Sequence, residues 1–260
     1  MIVFPQISTG ASALFPLARV RQARTVVNEL ADGGSVTAAD YGSEVDAWEL
    51  RAAGLTTSER DAIEALFEFS GGTLGVFTFL DPTGNLLRYS EELAGLGWVR
   101  SAGLVATAGA SDPFSGTRAV SVANTGESTG QVGQTLAVPG NFAYCFSVWA
   151  RSDVGSSVGV EFAGINRAFA LTSQWRRIWV AGNAQSNAES VTFAIQVPAG
   201  ANVHLFGAQV EPQFAPSDYK RTGTRGGLFS KARFADDRLT VIARGMDEYD
   251  AVIRIVNAGS

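Results

Sequence analysis

The pattern of apolar and polar positions predicts one helix within residues 1–84. Thr56 and Glu59 have the T-x-x-E spacing of a capping box, in which each residue satisfies a free backbone N–H of the other. Gly71 and Gly72 are suited to end the helix, because glycine accepts the left-handed conformation needed there. The apolar stripe between these ends consists of Ala62, Ile63, Leu66 and Phe67. We therefore predict a helix of about three turns.

Strand patterns lie on both sides of this helix. A W-x-L pattern at residues 48–50 precedes it, and the apolar run LGVFTFL at 74–80 predicts a buried strand that ends in a D-P-T-G turn. Residues 223–260 contain three more short strand patterns, with turn sequences at 235–237 and 244–247. We expect these strands to complete the sheet of the first region. The residues between would then be an insertion, which is tolerated where its ends lie close together.

Residues 85–222 show short alternating patterns separated by Gly, Ser, Asn and Asp turns. Strands are predicted at 174–182 and 190–197, and residues 197–211 are predicted to form a closing hairpin. The clearest strand alternates between one face with Phe142, Tyr144, Phe146 and Val148 and another with Ala143, Cys145, Ser147 and Trp149. This arrangement is typical of a two-sheet β-sandwich.

Composition supports a folded, mainly β protein. The chain has 260 residues with 46% apolar and 17% charged content, enough for one large core or two ordinary ones. Its 29 glycines follow no collagen-like period, so we expect many turns between short strands. A formal net charge of −5 is opposite in sign to the basic surface that nucleic acids require. We therefore expect no sequence-specific nucleic-acid binding.

Cysteine and histidine are too scarce for several chemistries. Cys145 and His204 are single residues of their kind, which excludes an internal disulfide, a histidine cluster and a multi-cysteine zinc site. We expect no metal, no cofactor and synthesis in a reducing cytoplasm, and we interpret His204 as structural or surface-exposed. The N-terminal residues lack a secretory pattern, and no apolar run reaches membrane-spanning length. No membrane insertion is therefore expected.

Two segments bracket the sandwich region. The opening segment at 85–98 is NLLRYSEELAGLGW, and the closing segment at 203–222 is VHLFGAQVEPQFAPSDYKRT. The pair resembles the start and end of carbohydrate-binding-type jelly rolls in bacteriophage tail and baseplate proteins, where a G-A-Q-V-E strand leads into an S-x-Y-x-x-T tail. This resemblance implies an inserted carbohydrate-binding-module-like jelly roll over residues 85–222.

The layout of the flanking regions resembles the N-terminal domain of phage distal tail proteins. It combines an early FPLAR and RTVVN, the W-x-L strand and the helix-to-strand unit at 54–82. In that family the helix packs on a β-sandwich, and the sandwiches join edge to edge in a ring at the end of the tail tube. The resemblance implies a discontinuous ring domain, residues 1–84 and 223–260, in which strands around Trp48 and Phe77 build the ring. A plainer α+β domain, with those residues only filling a core, is the alternative.

Aromatic residues are the candidates for a sugar site, because sugar-binding modules stack pyranose faces on exposed rings. The ligand candidates are Tyr144, Trp149, Trp175 and Trp179. Trp98 and Trp175 also match framework positions of the resembled modules, so for them both core packing and ligand contact stay open. Tyr144 and Trp149 lie on opposite faces of one strand, so only one of them can face outward.

Carboxylate pairs are the feature that a glycosidase would need. The available acids are Glu91, Glu92, Asp153, Glu161, Glu189 and Glu211. Ordinary solvated acids explain them more simply, and we expect no enzyme activity.

The combined hypothesis is a structural virion protein at the tail tip, assembled in the bacterial host. The fold class is mainly β, with a tail-ring β-sandwich domain bearing one helix and an inserted jelly-roll sandwich. Expected partners are the protein itself in a ring, expected to be a hexamer, the tail tube protein, the tail hub or tip proteins, and host cell-surface polysaccharide. The alternatives are a tail-tip adhesin or receptor-binding protein, and a glycan-processing enzyme with an accessory binding module.

Overall fold

The computed structural model describes residues 1–11 and 13–258. It forms two compact units. The central unit comprises Leu80–Leu228 with Met1 and Thr9–Ala11, and the terminal unit comprises the remaining residues up to Phe79 and from Phe229 onward. Whether residues 85–222 fold independently of the rest stays a prediction.

The described residues contain one helix and sixteen strands, and the mainly β fold class is confirmed. In chain order these are β1 (Leu14–Glu29), β2 (Ser35–Leu55), α1 (Thr57–Ser70), β3 (Phe77–Leu80), β4 (Val99–Arg100), β5 (Leu104–Ala110), β6 (Ala119–Asn124), β7 (Gly130–Leu136), β8 (Ala143–Arg151), β9 (Ser156–Phe162), β10 (Ile165–Leu171), β11 (Arg176–Asn183), β12 (Val191–Val197), β13 (Asn202–Glu211), β14 (Leu228–Phe234), β15 (Thr240–Gly245) and β16 (Glu248–Ala258).

The predicted helix is confirmed, with its caps. The backbone N–H of Thr56 donates to Glu59 Oε2 at 2.7 Å, and the N–H of Glu59 donates to Thr56 Oγ1 at 3.3 Å. Gly71 ends the helix in the left-handed conformation, with φ of 58°. The buried stripe is narrower than predicted: Ile63 and Leu66 are buried, but Ala62 is exposed because it lies on the solvent side of the helix.

The terminal unit is built on a six-stranded sheet in the order β1-β2-β16-β14-β3, with β15 also paired to β16. The C-terminal strands therefore lie in the same sheet as the strand that contains Trp48. That ring packs edge to face on Phe79 at 4.9 Å and on Phe229 at 4.7 Å between centroids. Burial of this aromatic cluster, within a larger apolar core, stabilises the unit.

Two features of the terminal unit differ from the sequence expectation. The strand predicted at residues 74–80 begins only at Phe77, since Leu74 is 84% and Val76 is 43% exposed. The hairpin of β1 and β2 is also far longer than the pattern indicated. Its outer part is paired from Arg24 with Asp40 to Glu29 with Ser35, and its side chains are largely exposed on both faces.

The central unit is a jelly-roll-like sandwich of two five-stranded antiparallel sheets. Their orders are β10-β9-β12-β7-β4 and β11-β8-β13-β6-β5. Between them lie aromatic rings in edge-to-face contact, such as Tyr144 with Phe193 at 5.4 Å and Phe146 with Phe193 at 5.8 Å. Strands β8, β11 and β12 confirm the strands predicted there.

The closing hairpin predicted at residues 197–211 is wrong. Strand β12 pairs with β7 and β9, whereas β13 pairs with β6 and β8 in the opposite sheet. The Pro198–Gly200 turn reverses the chain, as its residues indicate. It also carries the chain across the sandwich, because the apolar sides of both strands must face the same core.

Candidate functional site

Asn85 joins the opening segment to the closing segment. Its Nδ2 donates to Ala208 O at 2.9 Å and to Lys220 O at 3.1 Å, while its Oδ1 accepts from Val210 N at 3.0 Å. The side chain is buried, so these bonds replace water that Asn85 has lost. One amide thus holds the first residue of the opening segment against β13 and the tail that follows it.

The S-x-Y-x-x-T tail is held in the same way. Ser90 Oγ and Tyr219 OH share a hydrogen bond of 2.8 Å, and Thr222 N donates to Ser90 Oγ at 2.9 Å. Ser217 Oγ donates to the buried carboxylate of Glu211. All three motif residues of the tail therefore make framework contacts. We call this set of bonds between segments 85–98 and 203–222 the clasp.

Buried carboxylates strengthen the clasp. Glu91 accepts from Arg118 Nη1 at 3.0 and 3.1 Å and lies 3.0 Å from Arg221 Nε. Arg118 also donates from Nε to the fully buried Asp112 at 3.1 Å. Glu211 pairs with Lys220 Nζ at 2.9 Å. Each of these acids has structural partners, which the sequence could not show because the partners lie far away along the chain.

Tyr144 does not lie on an outer surface. It is 1% exposed and its OH donates to Pro139 O at 2.7 Å. Its side of β8 faces the second sheet, so its ring has no free face for a sugar, and we withdraw it as a ligand candidate. Trp98 is also in the framework: it is 3% exposed, and its Nε1 donates to Tyr89 O at 2.9 Å.

The other three candidates share the outer face of the sheet that contains β8 and β11. Trp149 is directly opposite Arg177, and Trp179 lies two residues further along β11. Trp175 lies two residues before Arg177, and its ring is 5.4 Å from the guanidinium of Arg151, which neighbours Trp149 on the same face of β8. We call Trp149, Trp175, Trp179, Arg151 and Arg177 the tryptophan face.

The rings of the tryptophan face differ in exposure. Trp179 is 39% exposed, whereas Trp149 and Trp175 are half-buried. Trp149 packs edge to face on Phe114, with 5.8 Å between centroids. Trp179 therefore offers the most open ring, and the other two widen the apolar surface beside it.

Polar groups surround these rings. Arg177 donates from Nη1 to Ser217 O at 2.5 Å and from Nη2 to Ser147 Oγ at 3.0 Å, which fixes its guanidinium on this face of the sheet. Asp153 contacts Arg151 and lies 3.0 Å from Nε2 of His204. The pKa of Asp153 is lowered by the hydrogen bond with His204 and by the charge of Arg151. The single histidine thus lies at the border of this face.

Towards the start of β8, the same outer face of the sheet is covered by the tail that follows β13. Cys145 and Ser147 lie on the same side of β8 as Trp149, yet both are fully buried. The tail covers them: Lys220 N donates to Gln209 Oε1 at 2.6 Å, and Gln209 Nε2 donates to Asp218 O at 3.2 Å. Burial raises the pKa of the Cys145 thiol to about 12. The lone cysteine is therefore an inert core residue.

The outer face of the second sheet carries a row of polar side chains that the sequence analysis missed. Gln196 Nε2 donates to Glu161 at 2.6 Å, and Asn166 Nδ2 donates to Gln196 Oε1 at 3.3 Å. Thr135 and Thr192 share a bond of 2.8 Å on neighbouring strands. The two polar residues of β12, Thr192 and Gln196, lie on the opposite side of the strand from buried Phe193 and Ile195, and this spacing was the available signal. We call this row the amide face.

Residues 1–11 and 13–258 show neither a cluster of metal ligands nor a helix that could span a membrane. No group of three or more His, Cys, Asp or Glu side chains among those residues is arranged to hold a metal ion. None of the helical structure described is long and apolar enough to cross a membrane.

No protein-family model and no curated protein matches the chain. Similar solved structures include the C-terminal family 22 carbohydrate-binding module of Clostridium thermocellum Xyn10B, at 17% identity and a TM-score of 0.40, covering 54% of this chain and 99% of that one. The tandem CBM22-1–CBM22-2 domain of Paenibacillus barcinonensis Xyn10C matches at 14% identity and a TM-score of 0.43. The match covers 66% of this chain and 61% of that one.

The enzymatically active domain of bacteriophage CBA120 tailspike protein 4 matches at 11% identity and a TM-score of 0.39. The match covers 51% of this chain and 22% of that one. These similarities are distant and decide nothing about function. The sandwich architecture rests on the strand pairing of the chain itself: the central unit is a jelly-roll-like β-sandwich with an exposed tryptophan at one edge.

Proposed function

We propose that the central unit binds a host-surface glycan through the tryptophan face, and that the whole chain is a structural ring component of a phage tail. The observation that supports the binding role best is the alignment of three tryptophans on one outer face, with Trp179 39% exposed at the edge strand. A large aromatic ring held open at a sheet edge gives apolar contact to the C–H face of a pyranose. Arg151 and Arg177 place hydrogen-bond donors beside it.

The tail role has a separate support in the terminal unit. The outer part of the β1–β2 hairpin is a two-stranded ribbon with exposed valines, Val27 at 57% and Val36 at 50%. Isolated two-stranded ribbons are marginally stable, and a free edge strand such as β1 invites pairing with another chain. Together with the distal-tail resemblance, this favours self-association in a ring, contact with the tail tube and hub proteins, and a place in the virion.

In this proposal the protein binds glycan and does not cleave it. Of the acids considered for catalysis, Glu91 and Glu211 are buried in the clasp with basic partners. Glu161 contacts Gln196 on the amide face, and Asp153 contacts Arg151 and His204. A glycosidase would release reducing sugar from the host polysaccharide, and that measurement decides the matter.

The binding role is tested with Trp179→Ala in the full chain. Affinity electrophoresis in gels that contain purified host polysaccharide should show retardation of the native protein and loss of retardation in the variant. The melting temperature should change little, since the ring is already partly in water. Val154→Ala, at an 86% exposed residue of the same unit, is the control and should bind normally. If both variants were retarded equally, the tryptophan face would not be the glycan-binding site.

The ring role is tested by electron microscopy and mass photometry of the purified chain and of native tail tips. A closed ring of copies, stacked on the tail tube, is the expected result, because a heterologous interface that closes by rotation produces a ring. Single copies or trimers at the tip of a fibre would instead support the adhesin alternative.

A further inference from the structure

The central unit contains a cavity between the opening segment and the β5–β6 hairpin, and no residue of the tryptophan face lines it. Its volume is about 430 Å³, and it is lined by Glu91, Glu92, Arg118, Arg221 and the backbone around Gly109. Gly109 has φ of 100° at a register shift of β5, and this bulge shapes the wall of the cavity. The size is in the range of small-molecule sites.

Both arginines of this cavity have unused donors. Arg118 donates from Nε to Asp112 and from Nη1 to Glu91. The Nε atom of Arg221 lies 3.0 Å from Glu91 Oε2. Within the described part of the chain, Nη2 of Arg118 and both Nη atoms of Arg221 have no hydrogen-bond partner. Each guanidinium is thus oriented by its paired edge, and both arginines line the cavity.

The charges decide which ligand fits these donors. Glu91 and Asp112 balance the two arginines, so the cavity has little excess positive charge to hold a free anion. Glu92 adds an exposed negative charge at the rim. A planar carboxylate can still accept from free guanidinium edges, but it needs further contact from the rest of its molecule. Ala94, Ala108 and Thr117 offer such contact on the cavity wall.

We propose that this cavity binds an acidic sugar unit, with the sugar carboxylate on the free Nη groups of Arg118 and Arg221. The proposal rests on glycan binding as the function of the central unit and names the chemical class of the glycan. The carboxylate accepts donors that are unpaired, and the sugar ring lies against the alanine and threonine side. Arg221 is the adjustable partner because its side chain is 64% exposed.

The probe is D-glucuronate, titrated into the nitrogen-15-labelled full chain and followed through the arginine Nε–H signals in two-dimensional NMR. D-glucose and acetate are titrated separately as the neutral and the carboxylate-only controls. Glucuronate should shift the signals of Arg118 and Arg221 in a saturable way. Glucose should leave them unchanged, and acetate should bind at least tenfold more weakly than glucuronate.

Two variants give opposite expected effects. Arg221→Gln should weaken glucuronate binding at least tenfold, because it removes free donors without unpacking the core. Glu92→Gln should strengthen it about two- to fivefold, because it removes an exposed like charge. Arg176→Gln, at an exposed cation on β11, should have no effect.

Acetate binding as well as glucuronate would overturn the sugar assignment, and unchanged binding in Arg221→Gln would overturn the site. These failures are separate from failure of the proposed function. If Trp179→Ala abolishes polysaccharide retention while Arg221→Gln and Glu92→Gln leave glucuronate binding unaltered, glycan binding stands and the acidic-sugar cavity does not. If glucuronate binds as expected but polysaccharide still retards the Trp179→Ala variant, the cavity is supported as an acidic-sugar site and the tryptophan face is not the polysaccharide-binding site.

Discussion

Strands β1 and β8 have opposite surroundings although both carry apolar side chains in an alternating pattern. Strand β8 is covered on both sides: Phe146 faces the second sheet, and Cys145 lies beneath the tail. Strand β1 pairs with β2 on one edge, and its outer part is exposed on both faces, with Val27 57% exposed. Val20, nearer the start of the strand, is 60% exposed. An alternating strand thus becomes core or surface according to which distant segments reach it. The exposed valines of the ribbon are the surface that we propose for contact with other copies.

The largest expected effect lies on the covered strand. Phe146→Ala should destabilise the chain by about 3–5 kcal/mol, because it removes a fully buried ring and leaves a cavity between the sheets. Urea unfolding followed by tryptophan fluorescence measures the change. Val20→Ala on β1 is the comparison and should cost less than about 0.5 kcal/mol. Equal losses would show that β1 is as well packed as β8.

The next effect concerns the cover over β8. Glu91→Gln should cost about 1–3 kcal/mol, because it leaves Arg118 and Arg221 without the buried carboxylate that joins the opening segment to the tail. The matched control is Glu92→Gln at the next residue, because the side chain of Glu92 is exposed. Thermal unfolding of the two variants measures the difference in stability between them. Equal melting temperatures would show that the ion pairs of Glu91 do not stabilise the fold.

A smaller effect is expected at the cap of α1. Burial alone would raise the pKa of Glu59, but hydrogen bonds from the backbone of Ser8 and Thr56 outweigh it and lower the pKa to about 2 from 4.5. A carboxyl with a depressed folded-state pKa stabilises fully above its unfolded value, and this contribution is lost as pH falls from 4.5 towards 2.

The cap prediction is checked by melting temperatures across that acid range for the native chain and Glu59→Gln. The difference between them should shrink steadily as the pH falls. A difference independent of pH would show that the ionised carboxylate of Glu59 is not the stabilising group.

The smallest effect on folding, with the clearest effect on assembly, is expected on the exposed ribbon. Val27→Asp should change the free energy of unfolding by less than about 0.5 kcal/mol, since the side chain is already in water. Sedimentation velocity should nonetheless show loss of self-association, because a charge in a strand-pairing surface opposes it. Unaltered assembly would place the contact between copies elsewhere.

Much of the local structure followed from the sequence. The capping box at Thr56 and Glu59, the stop at Gly71, the alternation in β8 and the presence of a strand at β12 were all predicted, because each depends on residues within one or two turns or on a short local pattern. The crossing between β12 and β13 was not, since turn residues specify a reversal of the chain and not the sheet in which it continues.

The site shows the same division. Sequence alone determined which residues could stack on a sugar, Tyr144, Trp149, Trp175 and Trp179, because only ring chemistry was needed. Tertiary structure decided that Tyr144 is core, that the three tryptophans share one face, and that Arg118 and Arg221 meet at Glu91. The first outcome depends on the packing of Tyr144 against the opposite sheet, and the last depends on contacts between segments 85–98, 112–118 and 203–222. Burial and ion pairing are properties of such distant contacts, and a local pattern along the chain contains no information about which segment will cover it.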